Sequence, residues 1–348
     1  MSQAETGIGN VTPNAALVQI AMSYARSRVL CAAARLGVAD ALGDEARSVD
    51  QLAEACQADA DALYRLLRAL AAIGITEEAA SRHFRLTPFG KPLRKDVPQS
   101  AWAAVIFWAD LLADNWSLLT DCIRTGQSAF QIRDPNVPSR WSQEPEADSI
   151  FRAVMGTAPA RDYDPIARAW DFSSASVVAD LGGGAGSLIL AILERYPKVR
   201  GMLVDREPSI EAARPRFADE KVSSRCELIA ADLTESVPAG ADVYMLKHFL
   251  HGCEDEEAIA ILRNCRAVVP QNGALLIIEF ILPAVVSHSD PHLEAHLMSD
   301  LNMLAVTGGR ERSEREWRSL LEAADFQLTG VYPVGSDVGI VEAKPASA

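Results

Sequence analysis

From Pro13 to about Gly74 the apolar residues recur at helical spacing, with Leu30, Ala34, Val38, Ala41 and Leu42 near it. Ser48 stands before Asp50, Gln51, Leu52 and Ala55, a pattern that predicts a side-chain-capped helix. Asp59 or Asp61 opens the next one, with Leu63, Leu66, Leu67, Leu70 and Ala71 as its buried stripe. After Gly74, Phe84-Arg85-Leu86-Thr87 reads as a short strand. Helices followed by a small β-wing give a winged-helix outline. Residues 101–170 are helical again and rich in rings: Trp102, Phe107, Trp108, Trp116, Phe130, Trp141 and Phe151. Most of these suit core packing. Some, Trp108 among them, are expected to line a pocket for an aromatic ligand.

From residue 176 the period changes. Five apolar runs read as strands: 176–180, 201–205, 226–230, 243–246 and 274–278. Helical segments separate most of them, residues 187–195 being the first. Strands alternating with helices predict a parallel, doubly wound α/β sheet of the Rossmann-like kind. The expected organisation is therefore a mainly helical winged-helix domain over 1–105, a helical connector over 106–170 and an α/β domain over 171–348.

Charge decides what the winged helix is for. Residues 1–100 carry 11 Lys/Arg and 11 Asp/Glu, a balance of zero. The helix that would read DNA offers only Arg65 and Arg68, so dimerisation is the better reading. The whole chain of 348 residues has a formal net charge of -14, which argues against nucleic acid and anionic lipid as partners. The six cysteines form no C-x-x-C pair and read as free thiols of a reducing compartment. There is no signal-peptide pattern at the N-terminus and no apolar run long enough to span a bilayer, so a soluble cytoplasmic protein is expected.

The first strand of the α/β part runs into Asp180-Leu181-Gly182-Gly183-Gly184-Ala185-Gly186. Such a turn at the carboxyl end of a strand is where these sheets bind nucleotides. A dinucleotide fold asks for G-x-G-x-x-G, whereas Ser187 stands where that third glycine would be. With Asp180 the segment reads D-x-G-x-G-x-G, which points to S-adenosyl-L-methionine, a cofactor with an amino-acid end in place of a pyrophosphate. Asp205, closing the second strand, suits the ribose hydroxyls, and Asp232, after the third, suits the adenine amino group. Arg206 and Leu233, which follow them, complete the expected cradle.

After the fourth strand comes Leu246-Lys247-His248-Phe249-Leu250-His251-Gly252-Cys253-Glu254. Methyl transfer to a phenol, whose pKa is near ~10, gains from a base at neutral pH, and histidine is the natural candidate. Spacing alone does not choose between His248 and His251.

The chain resembles the plant and bacterial small-molecule O-methyltransferases, the family of caffeate-type enzymes and of polyketide and antibiotic tailoring enzymes. The likeness rests on Leu63 to Leu70, Phe151 to Met155, the Asp180 loop, Leu246 to His251, Glu279 to Pro283 and Gly308 to Ser313. It implies that His251 is the general base, flanked by Glu279 and Glu311, and that Lys247 sits with the cofactor. It implies acceptor contacts for Met155, Asp300, Asn302 and Met303, no metal, a small aromatic acceptor and a homodimer built by the N-terminal domain. The family's usual His-Asp-Trp is His251-Gly252-Cys253 in this chain, from which a reshaped pocket wall is expected. The same scaffold can methylate nitrogen or carbon, or use the cofactor without transferring a methyl group. A cofactor-sensing winged-helix regulator would need a basic stripe on residues 59–73, which is missing. In the segment 288–296, His292 and His296 lie four apart beside Asp290 and Glu294, a spacing zinc sites use. Pro291 makes a loop-to-helix junction the better reading.

Overall fold

The Thr12 hydroxyl accepts the Ala15 N–H and starts the first helix, α1 (Pro13–Arg35), with proline in its first turn where no N–H is needed. A computed structural model describes residues 12–134, 145–156, 163–219, 223–287, 293–335 and 338–347. A short helix α2 (Val38–Leu42) and strand β1 (Arg47–Ser48) follow. Ser48 and Gln51 then form a reciprocal capping box on α3 (Val49–Ala55). Asp59, not Asp61, caps α4 (Ala60–Ala72) by accepting from the Ala62 N–H at 2.8 Å. On α4, Leu63, Leu67 and Leu70 are buried and Leu66 and Ala71 half-buried, the stripe the spacing predicts. The expected strand is β3 (His83–Leu86), and it pairs antiparallel with both β1 and β2 (Thr76–Ala80). The buried Thr76 hydroxyl donates to Leu67 O at 3.0 Å and ties this small sheet to α4.

Helix α5 (Trp102–Ile106) continues into one π-helical turn over Phe107–Leu111. Next come α6 (Ala113–Ser117), α7 (Leu119–Thr125), α8 (Ala129–Arg133) and α9 (Pro145–Gly156). The described residues up to Asp114 form one unit together with α9. Those from Asn115 to Asp134 and from Tyr163 onward form a second. The division therefore differs from the expected boundaries at 105 and 170, because the segment between them is shared and does not stand alone. Arg35 shows why α9 returns to the first unit: it pairs with Asp110 at 2.6 Å and with Glu146 of α9 at 2.8 Å. Such half-exposed pairs contribute about 1 kcal/mol or less. Phe151 of α9 packs 6.0 Å from Phe107, centroid to centroid, and that apolar contact holds the helix more firmly.

The second unit goes on with α10 (Asp164–Ala169), β4 (Val177–Leu181), α11 (Ser187–Arg195), β5 (Arg200–Asp205), α12 (Glu207–Asp219), β6 (Cys226–Ala230) and β7 (Val243–Lys247). Then follow α13 (Asp255–Val268), β8 (Ala274–Glu279), β9 (Ile281–Leu282), α14 (Leu293–Val306), β10 (Arg312–Ser313), α15 (Glu314–Glu322), β11 (Phe326–Val334) and β12 (Val338–Pro345). Seven strands make one sheet in the order β11-β12-β8-β7-β4-β5-β6. The five predicted strands are all present, within a residue at each end, and pair parallel. Two further strands correct the expectation of a wholly parallel sheet: β12 runs antiparallel between β8 and β11.

Side chains alternate across this sheet. Ala179, Tyr244, Leu246, Leu275 and Ile277 pack on one face with Trp317 and Leu321 of α15. Val178, Leu203, Met245, Leu276 and Ile278 pack on the other with Leu188, Ile189 and Ile192 of α11. Both faces being covered, each strand reads as a continuous apolar run. The strand order reverses between β4 and β7, so their carboxyl ends open the crevice where such folds bind ligands. Asp180, Asp205 and Lys247 all stand at that edge. No helix among the described residues is long and apolar enough to cross a membrane.

Candidate active site

The turn after β4 is held by its own backbone. Gly182 N–H donates to Val204 O at 2.7 Å, and Gly186 N–H to Gly183 O at 2.9 Å. Gly184 has φ 56°, a left-handed conformation that favours glycine, and nothing lies within 4 Å of where its Cβ would be. That open space over a backbone amide is a cradle for a ligand. Asp205 closes β5 and reaches the same turn: one carboxylate oxygen accepts the Gly184 N–H at 2.9 Å, the other the Arg206 N–H at 2.7 Å. Each oxygen keeps a lone pair for a further donor, as binding two ribose hydroxyls requires.

Asp180 lies deeper than the motif suggests. Its carboxylate is 1% exposed and tucked under Gly183, whose Cβ would come within 2.7 Å of it. Neither oxygen has a hydrogen-bond partner of good geometry. Burial pushes its pKa up to about 7, against the opposing pull of the Lys247 ammonium and the Ile189 N–H. A buried, under-compensated negative charge directly below the glycine turn favours a cation above it, which is what the ammonium end of S-adenosylmethionine offers. The residues present therefore fit that cofactor, although Asp180 lies beneath the loop and is not a surface contact. Lys247 is half-buried, with its ammonium 5.4 Å from the Tyr163 ring centroid. Asp232 is exposed; one of its oxygens accepts from the Thr234 N–H and hydroxyl at 2.9 and 2.6 Å, which leaves the other for a ligand. Arg206 is exposed, and Leu233 lies in the core at 4% exposure, so any ligand contact there is through its backbone.

The histidines stand just past β7. His251 Nδ1 lies 2.9 Å from Glu311 Oε1 and 3.6 Å from Glu279 Oε2. A carboxylate can only accept, so Nδ1 carries the proton and Nε2 of the neutral ring is left with the lone pair. Burial pulls the His251 pKa down, but the Glu279 and Glu311 carboxylates outweigh it and hold it above its ordinary value. Glu279 is fully buried: Oε1 accepts the Phe249 and His251 N–H groups at 3.0 and 3.3 Å, and Oε2 accepts from His248 Nδ1 at 3.2 Å. Burial raises the pKa of Glu279, yet the charge of His251 and the bond from His248 bring it below the usual carboxylate value. Glu311 also accepts from the Ser299 hydroxyl at 2.8 Å. Among the described residues, His248, His251 and Glu279 bring ligand-type atoms within 4.8 Å of one another, but the Nδ1 atoms of both histidines are occupied by carboxylates. Of the histidine pair in the segment 288–296, His292 lies outside the described residues with Asp290, while His296 stacks on Phe280 at 4.3 Å.

The expected acceptor residues divide. Asp300, Asn302 and Met303 share α14 with Ser299 in the same unit as His251. Asp300 Oδ1 accepts the Glu311 N–H at 2.9 Å, and Asn302 Oδ1 accepts the Trp116 indole N–H at 3.1 Å, so both have structural duties. Met303 is half-buried and its carbonyl caps the end of α14. Trp108, 52% exposed, and Met155, 51% exposed, belong to the first unit. Residues that spacing did not reveal include Tyr163 beside Lys247 and Ser299 on Glu311, each lying far in sequence from its partner.

The two residues from which a reshaped pocket wall is expected have unlike surroundings. Cys253 is 6% exposed and packs into the core beside the sheet, whereas Gly252 faces open space.

The family model of the O-methyltransferase domain matches residues 116–327, and that of the O-methyltransferase dimerisation domain matches residues 18–96. The phenazine O-methyltransferase of Lysobacter antibioticus is 34% identical over 97% of this chain and 98% of its own length. The O-demethylpuromycin-O-methyltransferase of Streptomyces alboniger is 38% identical over 94% of this chain and 88% of its own. A crystal structure of an O-methyltransferase from neocarzinostatin biosynthesis, in complex with S-adenosyl-L-homocysteine and 1,4-dihydroxy-2-naphthoic acid, superposes with a TM-score of 0.80 at 31% identity. It covers 94% of this chain and 98% of that one. With an α/β unit that carries the glycine turn and a cluster of two histidines and two glutamates beside it, the chain belongs to the small-molecule O-methyltransferases that use S-adenosylmethionine.

Proposed function

We propose that this O-methyltransferase methylates a hydroxyl on an aromatic small molecule, with His251 Nε2 as the general base. The carrying observation is the 2.9 Å contact between His251 Nδ1 and Glu311 Oε1, which fixes the tautomer that leaves Nε2 able to take a proton. S-adenosylmethionine supplies an electrophilic methyl group. Asp205, Asp232 and the Gly182–Gly184 turn hold that cofactor, with Arg206 and Leu233 beside them, while Asp180 and Lys247 set the charge below it. His251 receives the acceptor's proton, and the imidazolium so formed is stabilised by Glu311 and Glu279. Met303 of α14, together with Asp300 and Asn302, contributes to the acceptor side.

The reading extends to a homodimer. Helix α1 exposes Leu17, Val18, Ile20, Met22 and Tyr24, apolar side chains that an isolated domain would leave in water, and it overlaps the dimerisation match. Six unpaired cysteines suit a reducing compartment such as the cytoplasm. The test is S-adenosylhomocysteine release with a panel of phenolic, amino and carboxylic aromatic acceptors, native protein against His251→Ala. Release with a phenol that falls about a hundredfold or more in the variant supports the reading. Equal release from both removes His251 as base.

A further inference from the structure

His248 has φ 48°, a left-handed conformation that a residue with a Cβ rarely adopts, and its N–H donates to Ile278 O at 3.0 Å. A histidine is kept at a position whose backbone suits glycine, so its side chain invites a role. Its ring centroid lies 5.0 Å from Phe280 and 5.4 Å from His251. Its Nδ1 faces Glu279 Oε2 at 3.2 Å. Burial holds its pKa below the ordinary histidine value despite the neighbouring Glu279 carboxylate. The ring is therefore neutral at neutral pH, and its Nδ1–H donates to Glu279 Oε2.

The two carboxylates beside His251 are thus unequal. Glu279 has three donors: the Phe249 and His251 N–H groups on Oε1 and His248 on Oε2. It stands 3.6 Å from His251 Nδ1, too far for a hydrogen bond. Glu311, at 2.9 Å, has only Ser299 as a rival donor among the described side chains, and its Oε2 has no partner.

We propose that His248 is a positioning residue, which occupies Glu279 Oε2 and thereby directs the His251 Nδ1 proton to Glu311. This inference rests on the reading of His251 as the base. Remove the His248 donor, and Oε2 is free to swing onto His251 Nδ1. The groups facing His251 are Glu279, Glu311, Lys247 and His248, with Asp300 behind Glu311. Of these, Glu279 is the one that His248 restrains. A second close carboxylate favours the imidazolium, so the base becomes harder to deprotonate.

The experiment compares native protein, His248→Phe and His248→Asn. Phenylalanine keeps a ring against Phe280 and loses the donor, while asparagine keeps an N–H near the place of Nδ1. Two readouts are taken: the pH profile of kcat/KM, and the His251 pKa by NMR of labelled imidazole. In His248→Phe the His251 pKa and the acid limb are expected to rise together by on the order of one pH unit, and His248→Asn is expected to stay near native. An unmoved His251 pKa in His248→Phe overturns the inference. So does a phenylalanine variant that loses activity as completely as His251→Ala at every pH, which would make His248 itself the base. If the NMR pKa shifts while the kinetic limb does not, the positioning holds and the His251 reading fails.

Discussion

Glu311 Oε1 and His251 Nδ1 stand 2.9 Å apart, and both side chains are largely shielded from water. In such a setting one carboxylate both selects the imidazole tautomer and raises its basicity. Glu311→Gln keeps the shape and removes the charge. With His251 as the proposed base and the carboxylates holding its pKa above the ordinary histidine value, native activity is expected to rise with pH through a midpoint above that value. The variant's midpoint is expected to move down, and its kcat/KM to fall by roughly ten- to a hundredfold, the scale of lost outer-shell partners. A pH series of kcat/KM for both proteins checks this. A midpoint that stays in place would show that Glu311 does not govern the base.

Asp180 couples stability to ligand binding with opposite signs. Burial pushes its folded pKa up to about 7, well above the ordinary carboxylate value, so the folded state resists its ionisation. The penalty is absent below about pH 4, grows as pH rises from there to 7, and is full above it, on the order of 4 kcal/mol or less. Asp180→Asn is expected to raise Tm at pH 8 more than at pH 5 in the cofactor-free protein. Cofactor affinity is expected to weaken by about tenfold in the same variant, for lack of the charge under the turn. Melting curves at the two pH values and calorimetric titration with S-adenosylhomocysteine measure both; a Tm change independent of pH would sink the idea.

Gly182 and Gly184 separate packing from binding. A Cβ on Gly182 would lie 2.3 Å from the Phe249 ring, and φ there is 66°. Gly182→Ala is thus expected to disturb both the turn and the segment that carries His251, costing about 2 kcal/mol or more of stability. Gly184→Ala meets no neighbour and pays only about 1–2 kcal/mol of left-handed strain, but it fills the space left for the ligand. It is expected to hold near-native Tm compared with Gly182→Ala and to lose cofactor affinity. Chemical denaturation and cofactor titration of the two variants would contradict this if their order were reversed.

What the sequence revealed follows from how each element is stabilised. The five parallel strands are buried on both faces, so they announce themselves as continuous apolar runs, as in Ala274-Leu275-Leu276-Ile277-Ile278. Caps such as Ser48 and Asp59 are local hydrogen bonds and are equally legible. Strand β11 was hidden by Gly330 and Pro333, which an antiparallel strand at the sheet edge tolerates next to its bulge. At the site, the motif located the turn and both histidines. It could not tell that Asp180 is sealed under Gly183, or that Glu311 rather than Glu279 bonds His251 Nδ1, because both depend on packing between segments far apart in the chain.

Gly252 and Cys253 offer a last contrast, for they stand in place of an expected Asp and Trp at positions with different surroundings. Gly252 has no atom within 4 Å of a would-be Cβ, and its φ is not positive. Gly252→Asp is therefore expected to fold normally and to place a further negative charge beside His251. That charge favours the imidazolium, so the acid limb of the pH profile is expected to rise, by less than one unit since the new carboxylate is open to solvent. Cys253 is 6% exposed, and burial pushes its thiol up to about 12. An indole there must displace packed core atoms, so Cys253→Trp is expected to cost about 1–3 kcal/mol or more. The double variant should inherit the Trp penalty in full, since the Asp needs no space from the core. Denaturant melts of the two single variants and the double, with the pH profile of Gly252→Asp, decide the matter: a Cys253→Trp protein as stable as native would mean that the core at this point has room the structure does not show.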